Sequence, residues 1–263
     1  MTGTVDSIPL IASSILSKKL AAGAAVIDLD VKFGDGAFMK SREDARLLAK
    51  TMIEVGRRLG RSVHAVLSDM DAPLGSAVGN ALEVAEAAAV LRDGGDPALT
   101  ELCLTLAAQL VAPALSISGE EARRRVEQAL HTGAAFETMR RWIRAQGGDD
   151  RALSDPALLP RAACRGEILS PEDGYLTAMR AETVGRASVA LGAGRRVKDE
   201  PVDPAAGILL DKKPGDRVKK GERVATLFAA DEEKIRQGRE AFTSALSFGA
   251  APPAPRPVIA EIL

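Results

Sequence analysis

Aromatic side chains are scarce in this chain, at 3% of its 263 residues, and Trp142 and Tyr175 are single examples of their kinds. Single-stranded nucleic acid is held largely by stacking bases on aromatic rings, so a surface of that type is excluded. An excess of charge of one sign is lacking as well. The 35 basic and 36 acidic side chains leave a net charge of -1, without the pull toward nucleic acid or anionic membranes that a basic excess gives. There are 2 cysteines, Cys103 and Cys164, neither in a Cys-x-x-Cys pair nor near His64 or His131 at a ligand-like spacing. That excludes a disulfide framework and argues against a zinc site. Cys103 falls inside the apolar pattern Leu102-Cys103-Leu104, where a thiol serves as a small hydrophobe. No run of 18 apolar residues is found, and the first residues lack the basic, apolar and small-residue order of a secretion signal. The expected setting is the cytoplasm, with no membrane and no nucleic-acid partner.

What is present is enough apolar material, 46%, for a sizeable core in one large or two modest domains. The opening stretch reads as a helix. Asp6 or Ser7 can cap it, Pro9 sits in its first turn, and Gly23 follows its last residue. Ile8, Ile11, Ile15 and Ala22 share a face, with Lys18 at its edge and Ser14 beside it. Ser14 and Lys18 are four residues apart, so their side chains lie one above the other and can reach the same small polar ligand. The same spacing also describes an ordinary surface pair whose lysine stem covers apolar atoms.

Residues 25–31 form an apolar run of strand length, and Gly34 and Gly36 permit a sharp turn after it. Gly34-Asp35-Gly36 lacks the third glycine of a dinucleotide fingerprint and the ending of a P-loop, and Asp35 would repel an anion. Ser41 and Asp44 have the spacing of a capping box. Leu47, Leu48, Met52, Val55 and Leu59 then keep helical period up to Gly60, and residues 63–67 read as a second strand. The order strand, helix, strand predicts a parallel crossover. His64, inside that strand, has no chemical partner in sequence and reads as a structural histidine. A turn at 69–73 precedes a helix predicted over 77–91, and helices follow over 99–115, 120–130 and 134–145. The basic clusters at 123–125 and 140–141 read as solvated faces, and 149–160 as a linker. From Gly166 the texture changes to short β-type segments punctuated by glycine, up to a helix over 231–248, a proline-rich connector at 252–257 and a closing strand.

These patterns predict an α/β fold: a mixed sheet flanked by helices, with a small antiparallel, barrel-sandwich-like β domain at the C-terminal end. The expected divisions are 1–24, 25–160 and 161–263.

The wording of several stretches is specific. Thr4-Val5-Asp6-Ser7-Ile8-Pro9-Leu10-Ile11 with Ser14-Ile15-Leu16-Ser17-Lys18-Lys19-Leu20, then Asp30-Val31-Lys32-Phe33-Gly34-Asp35-Gly36-Ala37-Phe38-Met39, and finally Ser68-Asp69-Met70-Asp71-Ala72-Pro73-Leu74-Gly75-Ser76-Ala77-Val78-Gly79-Asn80-Ala81-Leu82-Glu83-Val84-Ala85-Glu86, resemble the thymidine phosphorylase and pyrimidine nucleoside phosphorylase family, in order. The resemblance continues to the last residue. Pro214-Gly215-Asp216-Arg217-Val218 is also similar to lipoyl and biotinyl carrier domains, but no modifiable lysine on a tight hairpin follows, and a carrier role is set aside.

The family resemblance implies a pentosyltransferase. It would carry out phosphorolysis of thymidine, deoxyuridine or uridine to free base and a sugar 1-phosphate, with phosphate as co-substrate and no organic cofactor. It implies Ser14 and Lys18 as substrate-binding residues. It implies a potassium ion held by the main-chain carbonyls of Leu74 and Ala77 and by the carboxylate of Glu86. No catalytic residue is assigned with certainty. Family members carry an N-terminal portion that holds the phosphate site, which the sequence here does not contain, and the resemblance implies that 1–24 is a remnant of a helical domain. The alternative expectation is therefore a noncatalytic remnant or a partner subunit completed by a separate N-terminal fragment. A homodimer is the other expected assembly, and an exposed apolar face is expected on the first helix.

Overall fold

The structure, a computed structural model, describes residues 7–263. From the amino end come α1 (Ile8–Ala21), β1 (Val26–Phe33), α2 (Arg42–Arg58), β2 (Ser62–Asp69), β3 (Ala77–Val78), α3 (Asn80–Asp93), α4 (Pro97–Leu115), α5 (Gly119–His131) and α6 (Ala134–Ala145). Two short 3-10 turns lead to β4 (Cys164–Leu169), β5 (Gly174–Met179), α7 (Ala181–Leu191), β6 (Gly207–Leu210), β7 (Arg217–Val218) and β8 (Arg223–Ala229). The chain closes with α8 (Glu232–Thr243), β9 (Leu246–Gly249) and β10 (Ile259–Ile262). It forms two compact units, one of residues 1–70, 100–129 and 256–263, the other of 71–99 and 130–255. Those bounds differ from the three consecutive segments read from the sequence, because the first unit gathers stretches that lie far apart along the chain.

In the first unit β1 and β2 pair in parallel from Val26 opposite Ser62 to Phe33 opposite Asp69. β10 joins β2 antiparallel, giving the mixed order β1-β2-β10. Strand alternation turns Ile27, Leu29, Val31, Val63, Ala65 and Leu67 to one face, where Ala12 and Leu16 of α1 and Ala45, Leu48, Ala49 and Met52 of α2 cover them. A Cβ on Gly56 would stand 2.1 Å from Cγ2 of Val63, so α2 approaches β2 more closely than any other residue allows. Ser41 caps α2 as its spacing predicts, its Oγ accepting from the Asp44 amide at 3.1 Å. Ser7 precedes α1 without a side-chain cap, and Asp6 lies outside the described residues. The apolar face of α1 is packed rather than exposed: Ile8, Ile11, Ile15 and Leu20 border the core, Ala22 is exposed, and Leu10 is the large apolar side chain left outside.

α4 is long and apolar enough to cross a membrane by length and composition alone, which the count of consecutive apolar residues did not register. It turns Leu102, Thr105 and Ala108 inward and carries Pro113. Glu101 of α4 receives a bidentate bond from Arg123 of α5 at 2.8 and 2.7 Å, and Arg123 Nε donates to Glu127 at 2.6 Å. Arg124 and Arg125 both reach Glu121. Arg124 and Arg125 are exposed, as the solvated-face reading expects, while the part-buried Arg123 joins two helices.

In the second unit the strands form antiparallel sheets in the orders β3-β6-β8-β4 and β7-β5-β9. Their core, with Leu176, Met179, Ile208, Val224 and Leu227, is closed by Val184, Ala187 and Leu191 of α7 and Ile235 and Phe242 of α8. α7 replaces part of the expected β texture. Its buried positions Ala181, Val184, Ala187 and Leu191 follow helical period, a signal that Gly185 in their midst obscured. The helix predicted over 231–248 stops at Thr243, and residues 246–249 turn back as β9 onto β5. Residues 149–160 are not a bare linker: Leu153 packs with Ala88 and Phe136, and the buried carboxylate of Asp150 accepts from Arg140 Nε at 2.8 Å. Arg140 is therefore no free surface cation.

Candidate functional site

On α1 the structure brings Ser14 and Lys18 together. Lys18 Nζ donates to Ser14 Oγ at 3.0 Å and to the Ser14 carbonyl at 2.6 Å, and both residues are exposed. With the ammonium donating to it, the hydroxyl keeps its own proton for an outside acceptor. The chemical result is one cation and one neutral donor side by side on a rigid helix.

In the same unit, the carboxyl ends of β1 and β2 carry a network that sequence reading missed. Alternation along β1 puts Asp30 and Lys32 on the face opposite the core. There Lys32 Nζ donates to Asp30 Oδ2 at 2.6 Å and to Ser68 Oγ at 3.0 Å, while Ser68 Oγ also donates to Asp30 Oδ1. Ser68 is fully buried. The signal was available: two charged residues spaced by two within an apolar strand. The glycine turn follows directly. Gly34 has φ of +109°, its N–H donates to Met39 O at 3.0 Å, and the Gly36 N–H donates to Met70 O at 2.9 Å. The carboxyl ends of parallel strands are where α/β proteins place ligands. Earlier in the strand, burial pushes the Asp28 carboxyl up, against the lowering effect of the Leu29 amide and of His64. Its Oδ2 is buried without a partner, while His64 Nε2 lies 2.9 Å from Ser62 Oγ. Burial also raises the Asp69 carboxyl, partly offset by Arg256.

The second unit contains Leu74, Ala77 and Glu86. Residues 77 and 78, predicted as helix, are strand β3, pairing with Leu209 and Ile208 of β6, and α3 starts only after Gly79. Gly79 has φ of +138°, and its N–H donates to Glu83 Oε1 at 2.9 Å. Glu86 reaches back from α3 so that Oε1 accepts from Ser76 N at 2.5 Å and Oε2 from Ala77 N at 3.2 Å. The Leu74 carbonyl receives the ammonium of Lys213 at 2.6 Å. These three residues do come together in one loop. As arranged they do not fit an alkali-metal ion, since the carboxylate faces amide donors and one of the two carbonyls already holds a cation. Among the described residues no group of three or more His, Cys, Asp or Glu could hold a metal.

Residues 1–136 match the family model for the α/β domain of the glycosyl transferase family, and residues 175–248 match that for the pyrimidine nucleoside phosphorylase C-terminal domain. The chain belongs to the pyrimidine nucleoside phosphorylase family. The pyrimidine-nucleoside phosphorylase of Geobacillus stearothermophilus is 49% identical over 234 residues, 89% of this chain and 54% of that protein. That of Staphylococcus epidermidis is 48% identical over 234 residues, with the same coverage. That of Bacillus subtilis is 49% identical over 233 residues, 88% of this chain and 54% of its own. The chain thus spans about half the length of the curated relatives it matches. Within the family match lie α1, the glycine turn and the loop held by Glu86. The C-terminal match contains Lys213, a residue of that loop's environment which spacing alone could not reveal.

Proposed function

We propose that this chain takes part in phosphorolysis of pyrimidine nucleosides, thymidine, deoxyuridine or uridine, as a pentosyltransferase of nucleoside salvage and catabolism. Phosphate attacks the sugar C1 while the bond to pyrimidine N1 breaks, leaving a sugar 1-phosphate and the free base. Negative charge grows on the departing ring, toward its carbonyl oxygens. A fixed cation or hydroxyl that bonds more strongly as this charge develops lowers the barrier. The observation that supports these roles is the Ser14–Lys18 pair, which offers an ammonium and a free hydroxyl proton at one exposed point of α1. Lys18 would meet the developing charge and Ser14 the pyrimidine edge.

Phosphate is the co-substrate, and no organic cofactor is invoked. Potassium enters only as an ion that would compete with the Lys213 ammonium for the Leu74 carbonyl. The cytoplasm and a homodimer complete the proposal.

The test is release of thymine or uracil from nucleoside and phosphate, with and without an added N-terminal portion of the Geobacillus stearothermophilus relative. Turnover by the chain alone supports a self-sufficient enzyme. Turnover only with the addition supports the second possibility, a subunit completed by another polypeptide. In whichever preparation is active, Lys18→Ala lowers kcat/KM by roughly 10²- to 10³-fold. An unchanged value would make the lysine bystander surface.

A further inference from the structure

Lys213 lies in the turn after β6, a turn held by its own N–H donating to Asp216 Oδ2 at 2.7 Å. From there its ammonium reaches the Leu74 carbonyl and Asp96 Oδ2, both at 2.6 Å. The Lys213 side chain is 27% exposed and that of Asp96 12%. Asp96 also accepts from the Leu99 amide through Oδ1 at 2.9 Å, so a single carboxylate caps the start of α4 and neutralises the lysine. All these residues belong to one unit.

We infer that Lys213, with Asp96, is the resident cation of the 74–77 loop, and that an alkali-metal ion competes with it instead of joining it. An ammonium and a potassium ion are similar in size and both seek carbonyl and carboxylate oxygens. The ammonium is tethered, so a free ion must displace a neighbour that cannot diffuse away. The rest of the loop is complete around it. Both Glu86 oxygens accept amides, and the Ser76 carbonyl accepts from Leu210 N at 2.7 Å. There is no slack beside Glu86, because a Cβ on Gly75 would stand 2.2 Å from its Oε2. None of this depends on nucleoside chemistry; a chain without phosphorolytic activity would hold the loop in the same way.

The full chain is melted in potassium nitrate and in tetramethylammonium nitrate at equal ionic strength, and titrated in the latter with thallium(I) nitrate, thallium(I) being a potassium surrogate visible by NMR. The wild type melts alike in both salts and shows no bound thallium. Lys213→Met melts roughly 5 °C lower in tetramethylammonium and recovers in potassium. Thallium bound to the wild type overturns the inference. So does a Lys213→Met protein as stable as the wild type, or one destabilised without any recovery in potassium. If that variant does not fold in either salt, the wild-type titration decides by itself.

Discussion

Two lysines set this molecule's two regions against each other. Lys18 bonds within its own helical turn, four residues from its partner, and stays exposed; Lys213 crosses 139 positions of sequence to Leu74 and is largely shielded. A local, solvated pair contributes little to stability and remains free to bond elsewhere. A shielded ammonium with a carboxylate and a carbonyl is costly to disturb, because removing it leaves a shielded carboxylate without its counter-charge. Similarity of side chain therefore says little about role; sequence separation and burial decide it.

The largest test of this contrast is Lys18→Ala, which should cost the 10²- to 10³-fold in kcat/KM given above while leaving the melting temperature within about 1 °C. A large fall in melting temperature would break the comparison by making the exposed pair structural. Gly79→Ala should do the opposite. Its φ of +138° strains any other residue, and the new Cβ would stand 2.5 Å from the Ala206 carbonyl. A stability loss of roughly 3 kcal/mol in urea unfolding is expected.

The helix starts sharpen the contrast on a smaller scale. Ser41→Ala should cost about 1 kcal/mol, because the hydroxyl caps Asp44 N, whereas Ser7→Ala, with no cap bond to lose, should be silent in the same measurement. Smaller or comparable is the effect of Asp28→Asn. Burial raises the folded-state pKa of Asp28 above its usual 3.8, so its charged form weakens the fold at neutral pH, and that penalty fades as pH falls through the raised pKa. The variant should gain up to about 1 kcal/mol near pH 7 and lose that advantage below about pH 4. An advantage that grew on acidification would reverse the assigned cause.

Elements with strong local marking were legible before any coordinates. The Ser41 cap with its periodic apolar positions located α2, and the apolar run before Gly34 located β1. The pair Ser14 and Lys18 followed from helical geometry alone. α7 was hidden because a glycine and small residues resemble the spacing of short strands until the burial of Val184, Ala187 and Leu191 is seen. Residues 77 and 78 carry no local mark of a strand, because only β6, more than a hundred positions on, supplies the partner that keeps them extended.

By itself the amino-acid sequence determined the class of fold, the helix and strand starts set by caps and glycines, the family, and the i,i+4 pair on the first helix. Those features depend on neighbours within a few residues or on the wording of whole motifs. Tertiary structure alone decided that the closing strand returns to β2, that Oδ2 of Asp28 is buried without a partner, and that the Lys213 ammonium reaches the Leu74 carbonyl. The physical reason is range: desolvation and long-range hydrogen bonds exist only once distant segments have been brought into contact.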